Sequence, residues 1–439
     1  MRRFLLSNSR LGGYGAAIFA GATGNPERSV GPAGATKKSD RQPEAKRKAC
    51  RRDHIRNPGS LSASVEIVPV QTKRHWHDFH HLPFAIYQDD PNWVPPLLLE
   101  RKFHFDPKHN PFFQHAQAAF FLATRDGAPV GRITAQIDRL HLERYQDATG
   151  HFGFIEAVDD PDVFAALLNA AEGWLRGQGM KRAVGPVSFS LWDQPGLLVE
   201  GFGTPPYVMM NHHRPYYADR ITAQGYQKAE DLIAYRYGPD ASTKTWDRLM
   251  ARAMRGGDIT LRNIHMDKRF RDEVAMLLDI INDAWSDNWG YVPMTQAEID
   301  ELAGILKLLL RPGDVAIAEY QGKPAAFTAI FPNLNEAIRD MKGRLFPFNW
   351  IKLLWRLKVA RPKTARMPMM GVRKSLQASP VGAALALSVI RSVREFNFSR
   401  GVVDSELSWI LARNSRVRHV IEMVGGVPYK TYRVFEKAI

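Results

Sequence analysis

Residue types able to do chemistry occur at a few places in this chain. His80-His81 and His212-His213 are its paired imidazoles. Adjacent residues on a strand face opposite ways, and no cysteine or regular His/Asp spacing joins them, so no metal site is expected. The single cysteine, Cys50, sits in a basic stretch and reads as an idle thiol. One cysteine forms no internal disulfide, and a reducing compartment follows. A second place is Gln377-Ala378-Ser379-Pro380-Val381-Gly382, with Ala383 next, at the start of a helical pattern. Backbone N–H groups at a helix start attract anions. Gly382 lets a ligand approach the backbone, Arg373 and Lys374 add positive charge, and Pro380 removes one donor. A third place is the C-terminal region. Glu406 on a strand is a candidate base, or a solvated or salt-bridged strand carboxylate. Tyr429 and Tyr432 are proton donors or core-edge rings. Asn414 holds a ligand or caps its helix. His115, beside Asn110–Phe113, is a pocket base or a structural imidazole.

The elements that must position these residues follow from periodicity and breakers. Val65–Val70 alternates as a strand, and a helix is expected over Lys73–Tyr87. Ala118–Thr124 and Pro129–Ile137 form a hairpin through Asp126-Gly127. Phe152–Ala157 is a strand, Pro161–Gln178 a helix stopped by Gly179, and Gly185–Phe189 a strand. The same order recurs from Asp258. It runs strand Ile259–Ile264, helices Phe270–Trp285 and Thr295–Leu310, and hairpin Val315–Tyr320/Pro324–Phe331. Strand Met367–Val372, helix Val381–Phe396, strand Val402–Trp409, helix Asn414–Val424 and strand Tyr429–Glu436 complete it. The first half closes with strand Asp231–Tyr237 after Gly225, as the second closes after Gly425-Gly426. This is an internal duplication. The expected division is a basic leader at 1–62, a first half at 63–240, a linker at 241–257 and a second half at 258–439.

The 439 residues suit two or three domains, and 45% apolar with 24% charged residues is a globular composition. No run of 18 apolar residues is present. Residues 1–60 hold 13 of the Lys/Arg and 4 of the Asp/Glu, so +9 of the net +15 belongs to the leader. The leader's apolar stretch is interrupted by Ser7, Asn8, Ser9 and Arg10, which makes a poor export signal. A disordered extension, or a start codon set too far upstream, is expected. No recognition helix or base-stacking motif accompanies the charge, so no specific nucleic-acid partner is expected.

The order hairpin, strand, helix, strand, helix, strand resembles the GNAT N-acetyltransferase fold. That fold carries a Gln/Arg-x-x-Gly-x-Gly/Ala loop before its main helix, and Gln377 to Gly382 matches its first and last positions. The resemblance implies an α/β (α+β) architecture of two tandem GNAT-like domains, each a mixed, mostly antiparallel sheet flanked by helices. It implies acyl-CoA as co-substrate, bound by Arg373, Gln377, Val381, Gly382 and Ala383. It further implies Glu406 as base, Tyr432 as acid to the leaving thiolate, with Tyr429 a second candidate, and Asn414 on the pantetheine arm. In the first half the matching loop, Val158-Asp159-Asp160-Pro161-Asp162, is acidic and glycine-free. Its carboxylates repel a pyrophosphate, so that half is expected to shape the acceptor pocket instead.

A closer resemblance covers about residues 64–439. Asn110-Pro111-Phe112-Phe113, Val130-Gly131-Arg132-Ile133, Gly185-Pro186-Val187, Gly196-Leu197-Leu198, Pro215-Tyr216-Tyr217 and Trp289-Gly290-Tyr291-Val292-Pro293 look like a bacterial family of tandem GNAT-like proteins. That family is similar to the bacterial ceramide synthases, which implies acyl transfer from a long-chain acyl-CoA, or acyl carrier protein, to a lipid amine such as a sphingoid base or its 3-keto precursor. The alternatives are an acetyltransferase on a small amine or peptide, and a non-catalytic acyl-CoA or lipid sensor.

Arg344–Lys363 bears on where such an enzyme works. Phe346, Phe348, Trp350, Ile351, Leu353, Leu354, Trp355 and Leu357 alternate with Lys352, Arg356, Lys358 and Arg361. Aromatic and basic residues in so short a helix form the interfacial pattern. A cytoplasmic protein, peripheral on the inner membrane, is expected; the alternative is a helix packed on the body with its charges in water. Trp285, Trp289, Tyr291 and Pro293 line an apolar groove or are core aromatics.

Overall fold

The computed structural model describes residues 64–240 and 257–439. The expected leader, and all but the last residue of the expected linker, fall outside the described residues. The first half contributes β1 (Glu66–Pro69), β2 (Ala116–Arg125), β3 (Ala128–Asp138), β4 (Thr149–Ala157), β5 (Arg182–Gly185) and β6 (Gln227–Tyr237). The second contributes β7 (Ile259–Asn263), β8 (Val315–Tyr320), β9 (Lys323–Pro332), β10 (Thr364–Val372), β11 (Asp404–Leu411) and β12 (Val427–Ala438). The longer helices are α1 (Lys73–Ile86), α2 (Pro161–Gly177), α3 (Phe270–Trp285), α4 (Gln296–Leu309), α5 (Pro380–Phe398) and α6 (Ser415–Met423).

All twelve strands lie in one sheet of order β1-β2-β3-β4-β5-β12-β6-β11-β10-β9-β8-β7, with short strand Leu197–Glu200 paired to β12 off this path. The order is a mirror image about the central β12/β6 pair. Each half therefore ends by giving its last strand to the other: β12 pairs with β5, and β6 pairs with β11. Only β4/β5 and β10/β11 run parallel. Parallel pairing stops after His151–Val184 in one half and after Met367–Leu407 in the other. Beyond those points the strands splay, so each half carries a V-shaped opening.

Local sequence explains the elements. Both hairpin turns, Asp126-Gly127 and Gln321-Gly322, hold positive φ at two successive residues, as two-residue hairpins that follow the strand twist require. Asp160 caps α2 by accepting from Asp162 N, with Pro161 at the first turn. The helix buries Val163, Phe164, Leu167, Leu168, Ala171 and Leu175 against the first half's sheet. Each large apolar side chain so buried is worth about 1.5–3 kcal/mol relative to exposure. Thr295 and Glu298 form a reciprocal capping box at the start of α4. The expected strand Gly185–Phe189 is displaced. β5 ends at Gly185, and Val187–Ser188 pairs instead with Gln194–Pro195. Pro186 has no N–H with which to continue the ladder. Among the described residues, no helix is long and apolar enough to cross a membrane.

Candidate functional site

A cavity of about 490 Å³ lies between the two halves. Phe154, Ile155 and Glu156, beyond the parallel part of β4, and Pro186, Ser188 and Phe189, beyond β5, form one wall. The first half's splay thus opens into it. The opposite wall comes from α4, through Glu298, Glu301, Leu302, Ile305 and Leu309, and from helix Asn349–Trp355 with the π-type turn after it, through Leu353, Leu354 and Leu357. Three wall residues, Phe154, Phe189 and Met209, hold positive φ although none is glycine. Strained backbone of this kind gathers at sites where geometry is imposed for function.

Charged groups interrupt the apolar wall. His104 Nε2 lies 2.9 Å from Asp193 Oδ2. His115 bridges Asp138 at 2.8 Å and Glu298 at 3.3 Å. Burial lowers the His115 pKa, but its hydrogen bonds to the two carboxylates outweigh this and it is pushed up to about 9. Burial, with Asp193 and Glu298 adding repulsion, pushes Glu301 up to about 8. Arg132 donates to Phe79 O at 2.6 Å and stands 4.0 Å from Glu156. Glu156 in turn accepts from Tyr87 and Tyr217, and burial holds its pKa above the ordinary value.

Glu406 and Tyr432 come together in a separate, dry cluster at the second half's splay. Glu406 and Arg366 are both fully buried, with Nε–Oε1 at 3.6 Å. Ser408 Oγ donates to Glu406 Oε1 at 2.6 Å, and Tyr429 OH donates to Oε2. Arg366 also reaches Ser408 Oγ (2.8 Å) and Val208 O (3.1 Å), and lies 4.2 Å from the centre of the Trp409 ring. Its guanidinium fills the place where β10 and β11 diverge. Burial raises the Glu406 carboxyl above its usual range, although Arg366 opposes this, and raises the Tyr432 phenol well above its own. Neither residue lines the cavity, but Val208 and Met210 touch both places.

The expected cofactor residues lie elsewhere again, at the junction of β10 and α5. Ser379 caps α5 and takes the Gly382 N–H at 3.0 Å. A Cβ at Gly382 would collide with the Leu376 carbonyl oxygen, so chain crossing alone demands glycine there. Arg373 is paired to Asp279, and Lys374 to Asp287 at 2.6 Å. Gln377 donates to Val372 O at 2.9 Å. Val381 and Ala383 occupy the first turn of α5. Asn414 caps α6, accepting from Val417 N at 3.2 Å. In the first half, Asp160 is paired to Arg125 (2.7 Å) and Asp159 to Arg220 (2.9 Å). Trp285 and Tyr291 pack into the core with Trp192, and Trp289 packs against the buried cluster that contains Tyr432. Among the described residues, no group of three or more His, Cys, Asp or Glu is placed to hold a metal ion.

Sequence reasoning gave no role to Arg366, Ser408, Asp193, Arg132 or Glu301. Only the last carried a usable signal, for Glu298 and Glu301 are three apart on one helix face.

Comparisons with known proteins complete the assignment. No family profile matches the chain. It is 45% identical over 383 residues to the bacterial ceramide synthase of Caulobacter vibrioides, covering 87% of this chain and 99% of that one. It is 45% identical over 369 residues to protein YghO of Escherichia coli, covering 82% and 92%. Among solved structures, a GCN5-related glucosamine N-acetyltransferase region of a fungal multi-domain β-N-acetylglucosaminidase superposes with a TM-score of 0.51 at 14% identity, covering 86% of this chain and 38% of that one. That likeness concerns the fold alone. The divided sheet, the two splayed strand pairs and the extent of these identities lead to one assignment: the chain belongs to the bacterial ceramide synthase family and is a tandem GNAT-type N-acyltransferase.

Proposed function

We propose that the chain transfers a long acyl group from an acyl-CoA thioester to the amine of a long-chain lipid, at the surface of a membrane. The observation that carries this reading is the 490 Å³ cavity, whose far wall is mostly leucine and isoleucine, interrupted by Glu298 and Glu301, and is roofed by the helix Asn349–Trp355. A cavity of that size and lining suits an aliphatic chain. The roof helix turns Leu353 inward and Ile351 and Trp355 outward, and Phe348 just before it also faces out, with Phe348 75% and Trp355 56% exposed. Large exposed apolar side chains grouped at a cavity mouth favour contact with lipid. Exposed Lys342, Arg344 and Lys363 flank them and suit an anionic surface. Lys352 and Arg356, by contrast, are paired with Asp340 at 2.5 and 2.6 Å.

The thioester is assigned to the second half through Arg373–Ala383. Support comes from the position of this stretch at the start of α5, which is 19 residues long, with two cations alongside that are each paired to an aspartate. Glu406 ties β11 to β10 through Arg366 and to β12 through Tyr429, and Tyr432 packs in the buried cluster beside them, rather than meeting the acceptor.

The experiment offers the purified full chain acyl-CoAs from acetyl to palmitoyl, with sphinganine and 3-ketosphinganine, and detects amide by mass spectrometry. Amide formed only from long acyl chains is expected. Acetylation of small amines, with no lipid amide, would sink the reading.

A further inference from the structure

The cavity wall contains a charge arrangement that the fold does not need. Asp193, Glu298 and Glu301 converge on it from two separate elements. Glu298 is engaged: Oε2 accepts from Thr295 N at 2.7 Å, and Oε1 meets His115. Asp193 is paired with His104. Glu301 Oε1 is shielded from solvent and has no hydrogen-bond partner among the described residues. A buried carboxylate without a partner is costly unless a ligand supplies one.

Two further observations indicate a ligand in the same cavity. Arg132 is 8% exposed and lines the cavity, and its Nε–H is unpartnered, so a second buried polar group there awaits an acceptor atom from a ligand. The aromatic rings are also grouped. Phe189 lies 5.1 Å from Phe112, 4.9 Å from Phe154 and 5.0 Å from the His104 ring that is paired to Asp193. Carboxylates beside aromatic faces form the surroundings that attract an organic ammonium.

We propose that Glu301 is the catalytic residue that receives the acceptor's ammonium and takes its proton. This rests on the acyl-transfer reading above. The acceptor enters as the cation, which gives Glu301 its missing partner between Asp193 and Glu298. One N–H proton passes to the Glu301 carboxylate and leaves a neutral amine. The nitrogen lone pair then bonds to the thioester carbonyl carbon as the carbon–sulfur bond breaks. The sulfur leaves with the electron pair and takes a proton from water, and the second N–H proton is lost to solvent as the amide forms. The elevated Glu301 pKa suits this step, because the carboxyl and an amine then differ little in proton affinity. The groups facing Glu301 are Asp193 and Glu298, backed by His104, His115 and Asp138, and the other cations of the lining are Arg101, Arg132 and Lys358.

The test uses the full chain and Glu301→Gln, with Asp300→Asn on the same helix as a control outside the cavity lining. Binding of dodecylammonium and of dodecanol is followed by tryptophan fluorescence, since Trp192 lines the cavity. Glu301→Gln is expected to weaken dodecylammonium binding by about tenfold and to leave dodecanol unchanged. Turnover at saturating acceptor is expected to fall by roughly 10²- to 10⁴-fold, with partial recovery in Glu301→Asp. Equal amine affinity and equal turnover in Glu301→Gln would overturn the proposal. Dodecylammonium binding that depends on Glu301, with no amide formed from any thioester and amine, would overturn the acyl-transfer reading and leave the amine site standing.

Discussion

Arg366 and Glu406 face each other across the parallel strands β10 and β11, 3.6 Å apart and both closed to solvent. Removing one member of such a pair strands the other charge in a dry interior. Arg366→Ala should lower stability by about 3–5 kcal/mol, read by denaturant unfolding. Glu406→Gln keeps the shape, and its folded fraction should retain turnover within about threefold, which distinguishes a holding role from a proton-transfer role worth 10²-fold or more.

His115 makes stability depend on pH. Its pKa is raised from 6.5 to about 9 in the folded protein. The stabilisation is therefore complete below pH 6.5 and is lost as pH rises through about 9. Between those limits the loss should be about 2 kcal/mol, after discounting for water at the edge of the cluster. Chemical denaturation across this range should show the decline in the parent and a flatter profile in His115→Gln.

The outward face of helix Asn349–Trp355 should govern membrane contact. Phe348→Ser, Ile351→Ser and Trp355→Ser combined remove three large exposed apolar groups. Even partial insertion of each is worth about 1 kcal/mol or more. Co-sedimentation with anionic vesicles should fall at least tenfold, while thermal stability stays within a few degrees. Unchanged sedimentation would refute the membrane assignment.

The thioester assignment is better tested beside the loop than within it. Gly382 accepts no side chain for packing reasons alone, so its replacement says nothing about a ligand. Arg373→Glu with Lys374→Glu reverses two charges near the start of α5. It should raise the KM for acyl-CoA by about tenfold or more, with kcat nearly unchanged. An unaltered KM would remove Arg373–Ala383 from the site.

Much of the scaffold is visible in the sequence because its signals are local. Asp126-Gly127 and Gln321-Gly322 announce the hairpins, Thr295 and Glu298 the start of α4, and Asn414 the start of α6. The duplication also shows, as two runs of the same elements. The exchange of β6 and β12 does not, since a strand's own pattern records which face is buried and not which neighbour it pairs with. The cavity is invisible for the same reason. Glu301, Asp193 and Arg132 are distant in sequence, and their joint meaning arises only after both halves have folded. The pairing of Arg366 with Glu406 depends on the β10/β11 register, which nothing near either residue reveals.

The exchanged strands have a consequence for the chain as a whole. A fragment ending at Asp240 would leave β5 without β12, and one beginning at Gly257 would leave β11 without β6. Each would expose as edges strands that are paired on both sides in the intact sheet, an invitation to aggregate. Mixed together, the fragments hold every missing neighbour of the other. The two repeats are thus obligate mates, a dimer made permanent by one peptide chain, and co-expressed fragments should rebuild the enzyme where neither alone yields soluble protein.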